Sequence, residues 1–359
     1  MQILIIKTSA IGDVIHTLPA LTMLRRAYPD AQITWLVEEA AAGILEGHPA
    51  LDRILVARRK SWIRALKRGR LGALGEFIRF ARELRKTKYD LLVDFQGLLK
   101  SSMWVVLARA TRKAGFGRGM EHAEGSWIFL NERVPAIDMD VHALDRGIIL
   151  LEHLGVPRAQ LDYGMTIEDD VADEAANLLT TAGLGGDGPL VAINPVAKWP
   201  TKLWFPERFA AVADELVAAG CRVVFTGGRE DAAAIDDIER QMHSTTIRVD
   251  GRTSLRGLAA VLDHADVLLS TDTGPMHLAC AVGTPVVAIF GPTAPWRTGP
   301  HGDRNTVLRV ELTCSPCLKR DCRTRAYEPM ACMNRLEADE VVRAVLEKLD
   351  AESELVIGR

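Results

Sequence analysis

Short apolar runs alternate along this chain with longer stretches in which apolar residues return every third or fourth position. The runs read as buried strands and the longer stretches as amphipathic helices. In the first half, strands are predicted at Gln2–Ile6, Ile33–Val37, Arg53–Val56 and Leu91–Phe95. Helices are predicted near Val14–Tyr28, Ile63–Lys86 and Ser101–Arg109. Pro19 either kinks the first helix or marks a later start, because proline lacks the N–H that a helix interior needs. A second cycle follows Asp187-Gly188-Pro189, with strands at Leu190–Asn194, Arg222–Thr226, Thr246–Val249, Val267–Ser270 and Val286–Phe290. Its helices fall near Glu207–Ala219, Ala232–Gln241, Ser254–Leu262 and Pro275–Val282, and a last helix spans Ala338–Leu349.

Strand–helix alternation of this kind predicts α/β domains built on parallel sheets. A chain of 359 residues exceeds one ordinary domain, so two are expected, 1–165 and 166–359. The boundary falls in the Pro-, Gly- and acid-containing stretch Val156–Asp170, which otherwise only leads into a helix near Val171–Ala182. Hydrophobic residues at 48% and charged residues at 25% suit a globular protein with real cores. A formal net charge of -3 argues against a general nucleic-acid binder. No secretory or membrane-spanning segment is visible: the run Ile3–Ile6 is closed by Lys7 and is far too short. A cytoplasmic location is therefore expected.

Function in open parallel sheets gathers in the loops after the strands, and the unusual residues fall there. Lys7-Thr8-Ser9-Ala10-Ile11-Gly12-Asp13 is a small-residue loop opening a helix. Its amides can face an anion, yet it matches neither a dinucleotide fingerprint nor a Walker A loop. Asp13 either stabilises the helix start or takes a proton from a hydroxyl. Ser270-Thr271-Asp272-Thr273-Gly274-Pro275-Met276-His277 likewise ends a strand and opens a helix. Asp272 and Thr273 either cap that helix or help hold a diphosphate at its N-terminus. The loop Asn194–Trp204 places Lys198 and Lys202 among tryptophans and prolines. These lysines are either solvated or clamp a phosphate. The turn Gly227-Gly228-Arg229-Glu230 offers Glu230 to ribose or sugar hydroxyls.

Two further features stand apart. Arg58, Arg59, Lys60, Arg64, Lys67, Arg68 and Arg70 run together, with Arg79, Arg82, Arg85, Lys86 and Lys88 following. This is either a solvated basic helix or a surface for anionic lipid or acidic oligosaccharide. Of six cysteines, Cys314, Cys317, Cys322 and Cys332 cluster, and the first pair has zinc-knuckle spacing. They are either inert, redox-labile, or a structural metal site. Asp138-Met139-Asp140 has the form of a metal-binding D-x-D but lies just ahead of a helix and reads as capping or solvent-facing.

The stretches KTSAIGDVIHTLPAL (Lys7–Leu21) and STDTGPMHLACAVGTPVVAIFGPT (Ser270–Thr293) resemble signatures of the ADP-heptose:lipopolysaccharide heptosyltransferases of glycosyltransferase family 9. Asp94-Phe95-Gln96-Gly97-Leu98-Leu99-Lys100-Ser101 and the Trp199, Lys202, Trp204 pattern fit the same family in order, and closer to type I than type II. The resemblance implies a GT-B fold, two Rossmann-like domains facing across a cleft, and inverting transfer needing neither cofactor nor metal. It implies heptose passing from ADP-heptose to the Kdo or inner-core region of lipopolysaccharide, by a protein in peripheral contact with the inner membrane. Asp13 would be the general base. Ser9, Gly12, Lys198, Lys202, Glu230, Asp272, Thr273, Gly274, Met276 and His277 would meet the donor. Lys7, Arg58, Arg59, Lys60, Gln96, Lys100 and Arg118 would meet the acceptor. The cysteine cluster departs from type I and is closer to type II, as do Ala197 and Lys198 from the small hydroxyl residues usual there. A type II or other family 9 transferase is the nearest alternative. A Rossmann oxidoreductase, a metal-dependent sugar transferase and a non-catalytic nucleotide-sugar or lipid-surface binder are the others.

Overall fold

The structure, a computed structural model, describes residues 1–120 and 124–357. It divides into two compact units, Met1–Met165 and Thr166–Arg359. In the first, six parallel strands form one sheet: β1 (Gln2–Ile6), β2 (Gln32–Glu38), β3 (Arg53–Ala57), β4 (Lys88–Asp94), β5 (Arg109–Phe116) and β6 (Glu132–Val134). Their order is β3-β2-β1-β4-β5-β6. In the second, β7 (Leu190–Asn194), β8 (Arg222–Phe225), β9 (Ile247–Arg248), β10 (Val267–Thr271), β11 (Val286–Phe290) and β12 (Thr306–Arg309) take the order β12-β11-β10-β7-β8-β9. Read from the other edge, this is the same arrangement, and both sheets are doubly wound in the Rossmann manner.

The central strands are buried from end to end, as β7, β10 and β11 show. Helices cover both faces of a parallel sheet, so its middle strands carry continuous Ile, Val and Leu runs. Those runs made the central strands legible. Strands β5, β6 and β12 lack such a run and go unpredicted: β5 reads RATRKAGF, and its Arg112 pairs with Glu132 on β6 at 2.8 Å. The helix expected just beyond Asp140, to which the sequence gives no bounds, is Ala143–His153.

Pro19 marks a later start. The chain makes a short helix at Ile11–Ile15, and the next begins at Leu18 with the proline in its first turn, where a missing N–H costs nothing. The long helix expected over Ile63–Lys86 is instead a hairpin, Arg59–Lys67 and Gly72–Lys86. Gly69 breaks it with φ +74°, a left-handed conformation that glycine adopts without steric penalty.

Candidate active site

In each sheet the strand order reverses beside its first strand, and there neighbouring connections leave on opposite faces. In the first unit the reversal lies between β1 and β4, paired so that Ile6 stands opposite Asp94. The loops after these strands are therefore neighbours. Gln96 Oε1 accepts from the backbone N–H of Thr8 at 2.9 Å, the Thr8 hydroxyl at 3.0 Å and the Ser9 N–H at 3.0 Å. Lys7 Nζ donates to the Phe95 carbonyl at 3.1 Å, and Lys100 Nζ to Ser9 Oγ at 2.5 Å. Asp13 Oδ2 accepts the Ala10 N–H at 2.7 Å, so the helix-start role is present. Its carboxylate is half-exposed.

Burial pushes the Lys7 ammonium down from its usual range, aided by Arg146 and opposed by Asp13 and Asp94. Lys100 is lowered chiefly by burial, with Arg59 and Lys7 adding repulsion and Glu38 and Asp13 opposing. The site is thus a mixed-charge cluster with a cationic surplus. Two carboxylates that the sequence reading did not assign to the site organise it. Asp94 is buried and accepts from the Gln96 N–H at 3.0 Å, the Gly97 N–H at 3.2 Å and the Ser101 hydroxyl at 2.9 Å. Burial raises its carboxyl to about 6 against those hydrogen bonds. Buried Glu38 accepts from Arg59 Nε at 2.8 Å and lies 3.9 Å from Lys60 Nζ. Arg58 pairs with Glu39 at 3.3 Å. The acids sit on or just beyond β2, so part of the basic run is neutralised by residues remote in sequence. Arg118 is exposed on the loop after β5.

In the second unit the reversal lies between β7 and β10, with Asn194 opposite Ser270. Asn194 Nδ2 donates to the Thr226 carbonyl and hydroxyl, each at 3.1 Å, and Thr271 Oγ1 to the Val196 carbonyl at 3.1 Å. These bonds tie the ends of β7, β8 and β10 together. Lys202 Nζ reaches Asp272 Oδ2 at 2.6 Å and lies 4.8 Å from the Trp199 ring centroid. The Oδ2 contact is an ion pair rather than a well-aligned hydrogen bond. Asp272 stands one residue ahead of the N-cap position of the helix Gly274–Val282. Thr273 occupies its N-cap position without a side-chain hydrogen bond. Met276 and His277 are buried. Met276 is fully enclosed. Asp231 rather than Glu230 closes the turn after β8, accepting the Gly228 N–H at 2.8 Å. Glu230 and Lys198 remain exposed.

Away from both loop clusters, the basic hairpin is anchored by Trp62, Phe77 and Phe80. The Trp62 and Phe80 ring centroids are 5.5 Å apart, and Phe80 stands 5.2 Å from Trp104. Its other side leaves Ile63, Leu66, Leu71, Leu74 and Ile78 exposed, Leu71 by 78%. Asp138 and Asp140 are exposed in the turn before Ala143–His153, where Asp138 Oδ1 accepts the Asp140 N–H at 2.9 Å. The four clustered cysteines line one cavity.

Two Rossmann-type units with loop clusters at their sheet reversals are the architecture of the GT-B glycosyltransferases. A family model described as glycosyltransferase family 9 (heptosyltransferase) matches residues 77–328. The chain is 33% identical over 330 residues to lipopolysaccharide heptosyltransferase 1 of Pseudomonas aeruginosa, covering 92% of this chain and 88% of that one. With lipopolysaccharide heptosyltransferase 1 of Escherichia coli K12 it shares 32% over 315 residues, 86% and 94% of the two chains. The solved E. coli heptosyltransferase WaaC with ADP has a TM-score of 0.75 at 28% identity, covering 97% of this chain and 100% of that chain. The chain belongs to glycosyltransferase family 9 and is a glycosyltransferase.

Proposed function

We propose that this transferase moves heptose from ADP-heptose to the Kdo-bearing inner core of lipopolysaccharide, as a type I heptosyltransferase. The observation that carries this reading is the pair of Lys202 with buried Asp272 beside the start of the helix Gly274–Val282. It is an anion-binding arrangement in which Lys202 and the helix N-terminus oppose the charge of a departing diphosphate. The relatives support the choice of donor and acceptor: two are heptosyltransferases of type 1, and WaaC has been solved with ADP and with ADP-2-deoxy-2-fluoro heptose.

On this reading the second unit holds the donor. Lys202 and the amides after Thr273 take the diphosphate, Asp272 the sugar, and exposed Glu230 and Lys198 the nucleoside diphosphate. The first unit holds the acceptor, with Lys7, Lys100, Arg118 and the Arg58–Lys60 run meeting its carboxylates and phosphates. Gln96 and Ser9 hold the loop that carries Asp13. The Asp13 carboxylate takes the acceptor hydroxyl proton as that oxygen attacks the anomeric carbon. ADP leaves from the opposite face, so the configuration inverts. A carboxylate is a weak base, so proton transfer accompanies attack rather than preceding it. Lys202 and the helix N-terminus supply the charge that a metal would otherwise bring.

The protein works on the cytoplasmic face of the inner membrane. No helix among the described residues is long and apolar enough to cross a membrane. The hairpin offers the contact instead, its exposed leucines and isoleucines interleaved with Arg64, Lys67, Arg68 and Arg70, a pattern suited to an anionic interface.

ADP release from ADP-heptose, with and without Kdo-lipid A and with chelator present, tests the reading. Acceptor-dependent release in chelator is expected. Release only with an acceptor already carrying one heptose would reassign the protein to type II, and no release from ADP-heptose with either acceptor would end the proposal.

A further inference from the structure

Residues 311–330 run without helix or strand, an unusual length for an irregular segment inside a compact unit. The segment is crowded with charge (Lys319, Arg320, Asp321, Arg323, Arg325, Glu328) and buries little apolar surface beyond Leu312. A few polar contacts hold it. Ser315 Oγ donates to the Gly291 carbonyl at 2.5 Å, the Leu318 N–H to the Pro292 carbonyl at 2.8 Å, and Thr201 Oγ1 to the Lys319 carbonyl at 2.7 Å. The segment supplies Cys314, Cys317 and Cys322, and the short helix Ala331–Asn334 supplies Cys332. None is in a disulfide, and all four line the same cavity of about 230 Å³. A side chain at Gly291 would place its Cβ 3.1 Å from Cys332 Sγ and closer still to Met333. Glycine there lets Cys332 approach the end of β11.

We propose that Cys314, Cys317, Cys322 and Cys332 form a tetrathiolate site for one thiophilic metal ion of the zinc class, clamping this segment against the loop that carries Lys202. Four sulfur donors and no oxygen donor select zinc or iron over magnesium or calcium. The Met330 N–H donates to Cys322 Sγ at 3.3 Å, a bond that strengthens as the sulfur becomes a thiolate. Lys319 and Arg323 line the cavity and offset the surplus negative charge of four thiolates around a divalent ion. Burial raises the Cys332 thiol to about 11, and the other three cysteines push it the same way. The four sulfurs therefore share one environment around the cavity. Binding from four thiols releases four protons to solvent.

Among the described residues, no three of these sulfurs lie mutually within 4.8 Å. Zinc–sulfur bonds of about 2.3 Å need a tighter set. The ion therefore draws exposed Cys317 and Cys322 towards the more enclosed Cys314 and Cys332. The effect reaches the donor loop by two routes. Thr201, bonded to Lys319, precedes Lys202 in the chain. The Trp199 ring has Arg320 at 5.1 Å and Lys202 Nζ at 4.8 Å from its centroid. This second, functional part rests on the proposed role of Lys202; the metal site itself does not.

The full chain, purified without a histidine tag, is assayed for bound metals by mass spectrometry and for reactive thiols. About one zinc or one iron per chain is expected, released when a mercurial titrates the thiols. Cys317→Ser with Cys322→Ser, both exposed, tests the site without disturbing packed residues, and its metal content should fall below a tenth of wild type. Metal-free protein with four promptly reactive thiols overturns the site, as does unchanged metal in the double variant. Iron accompanied by acid-labile sulfide overturns the single-ion assignment. In stripped protein, donor KM should rise about tenfold with a smaller change in kcat. Unchanged donor KM overturns the coupling to Lys202, while metal content still reports on the site if heptose transfer is not found.

Discussion

Lys202 Nζ and Asp272 Oδ2 meet at 2.6 Å, with the side chains 16% and 6% exposed. Seventy positions apart in sequence, they are joined because β7 and β10 are neighbours at the reversal of the second sheet. A diphosphate arriving there shares a lysine already engaged by a carboxylate.

Lys202→Ala should act twice. It strands the buried Asp272 carboxylate, at about 3 kcal/mol of stability. It also lowers kcat/KM for the donor by about a hundredfold or more, the scale of losing one charge-stabilising donor. The double variant Lys202→Met, Asp272→Asn removes both charges, so urea denaturation should show most of the stability restored while turnover stays low. A single variant as stable as wild type would mean that the pair contributes nothing in solution.

Asp13→Asn retains an oxygen for the Ala10 N–H but cannot accept a proton. Its melting temperature should stay near wild type while kcat falls at least about a hundredfold. Asp13→Ala should lose that activity and also about 1 kcal/mol of stability with the cap. Turnover of Asp13→Asn within a few-fold of wild type would confine Asp13 to the helix start.

Asp94 makes a pH signature. Its folded carboxyl is raised to about 6 from 3.8, chiefly by burial. Between those values the native state holds more protons than the unfolded state, so stability falls as pH rises through the window. The fall is of order 3 kcal/mol and is complete above about pH 6. Asp94→Asn cannot titrate. The stability difference between wild type and Asp94→Asn, measured by denaturation from pH 4 to 7, should therefore move against wild type as pH rises. A difference constant with pH would place Asp94 in a wetter site.

The hairpin should bind vesicles of phosphatidylglycerol and phosphatidylethanolamine in sedimentation, and release as salt rises. Leu71→Ser with Leu74→Ser should weaken that binding about tenfold, since each buried CH₂ contributes about 0.8 kcal/mol. Turnover on detergent-dispersed acceptor should be unchanged. Equal binding to uncharged phosphatidylcholine vesicles would rule out the electrostatic part, and undiminished binding by the double variant the apolar part.

The apolar runs by themselves determined most of the fold. Ile3–Ile6, residues 190–193 and Val286–Phe290 are covered on both faces, and a strand so covered carries a continuous apolar run, which a linear reading detects. The motif loops were legible for a related reason: they follow those strands directly, and small or polar residues there break the apolar run. Strands β5 and β12 were hidden because their surroundings ask less of them. β5 carries Arg112 and Lys113, whose charges are met by Glu132 and the Val105 carbonyl, and every residue of β12 is only half-buried. Only the tertiary structure decided the partners. Glu38 neutralising Arg59, Asp94 holding the Gln96 loop and Asp272 engaging Lys202 all depend on which elements lie side by side. Side-chain pairing is set by distances across the sheet and burial by what packs above it, and neither is encoded by spacing along the chain.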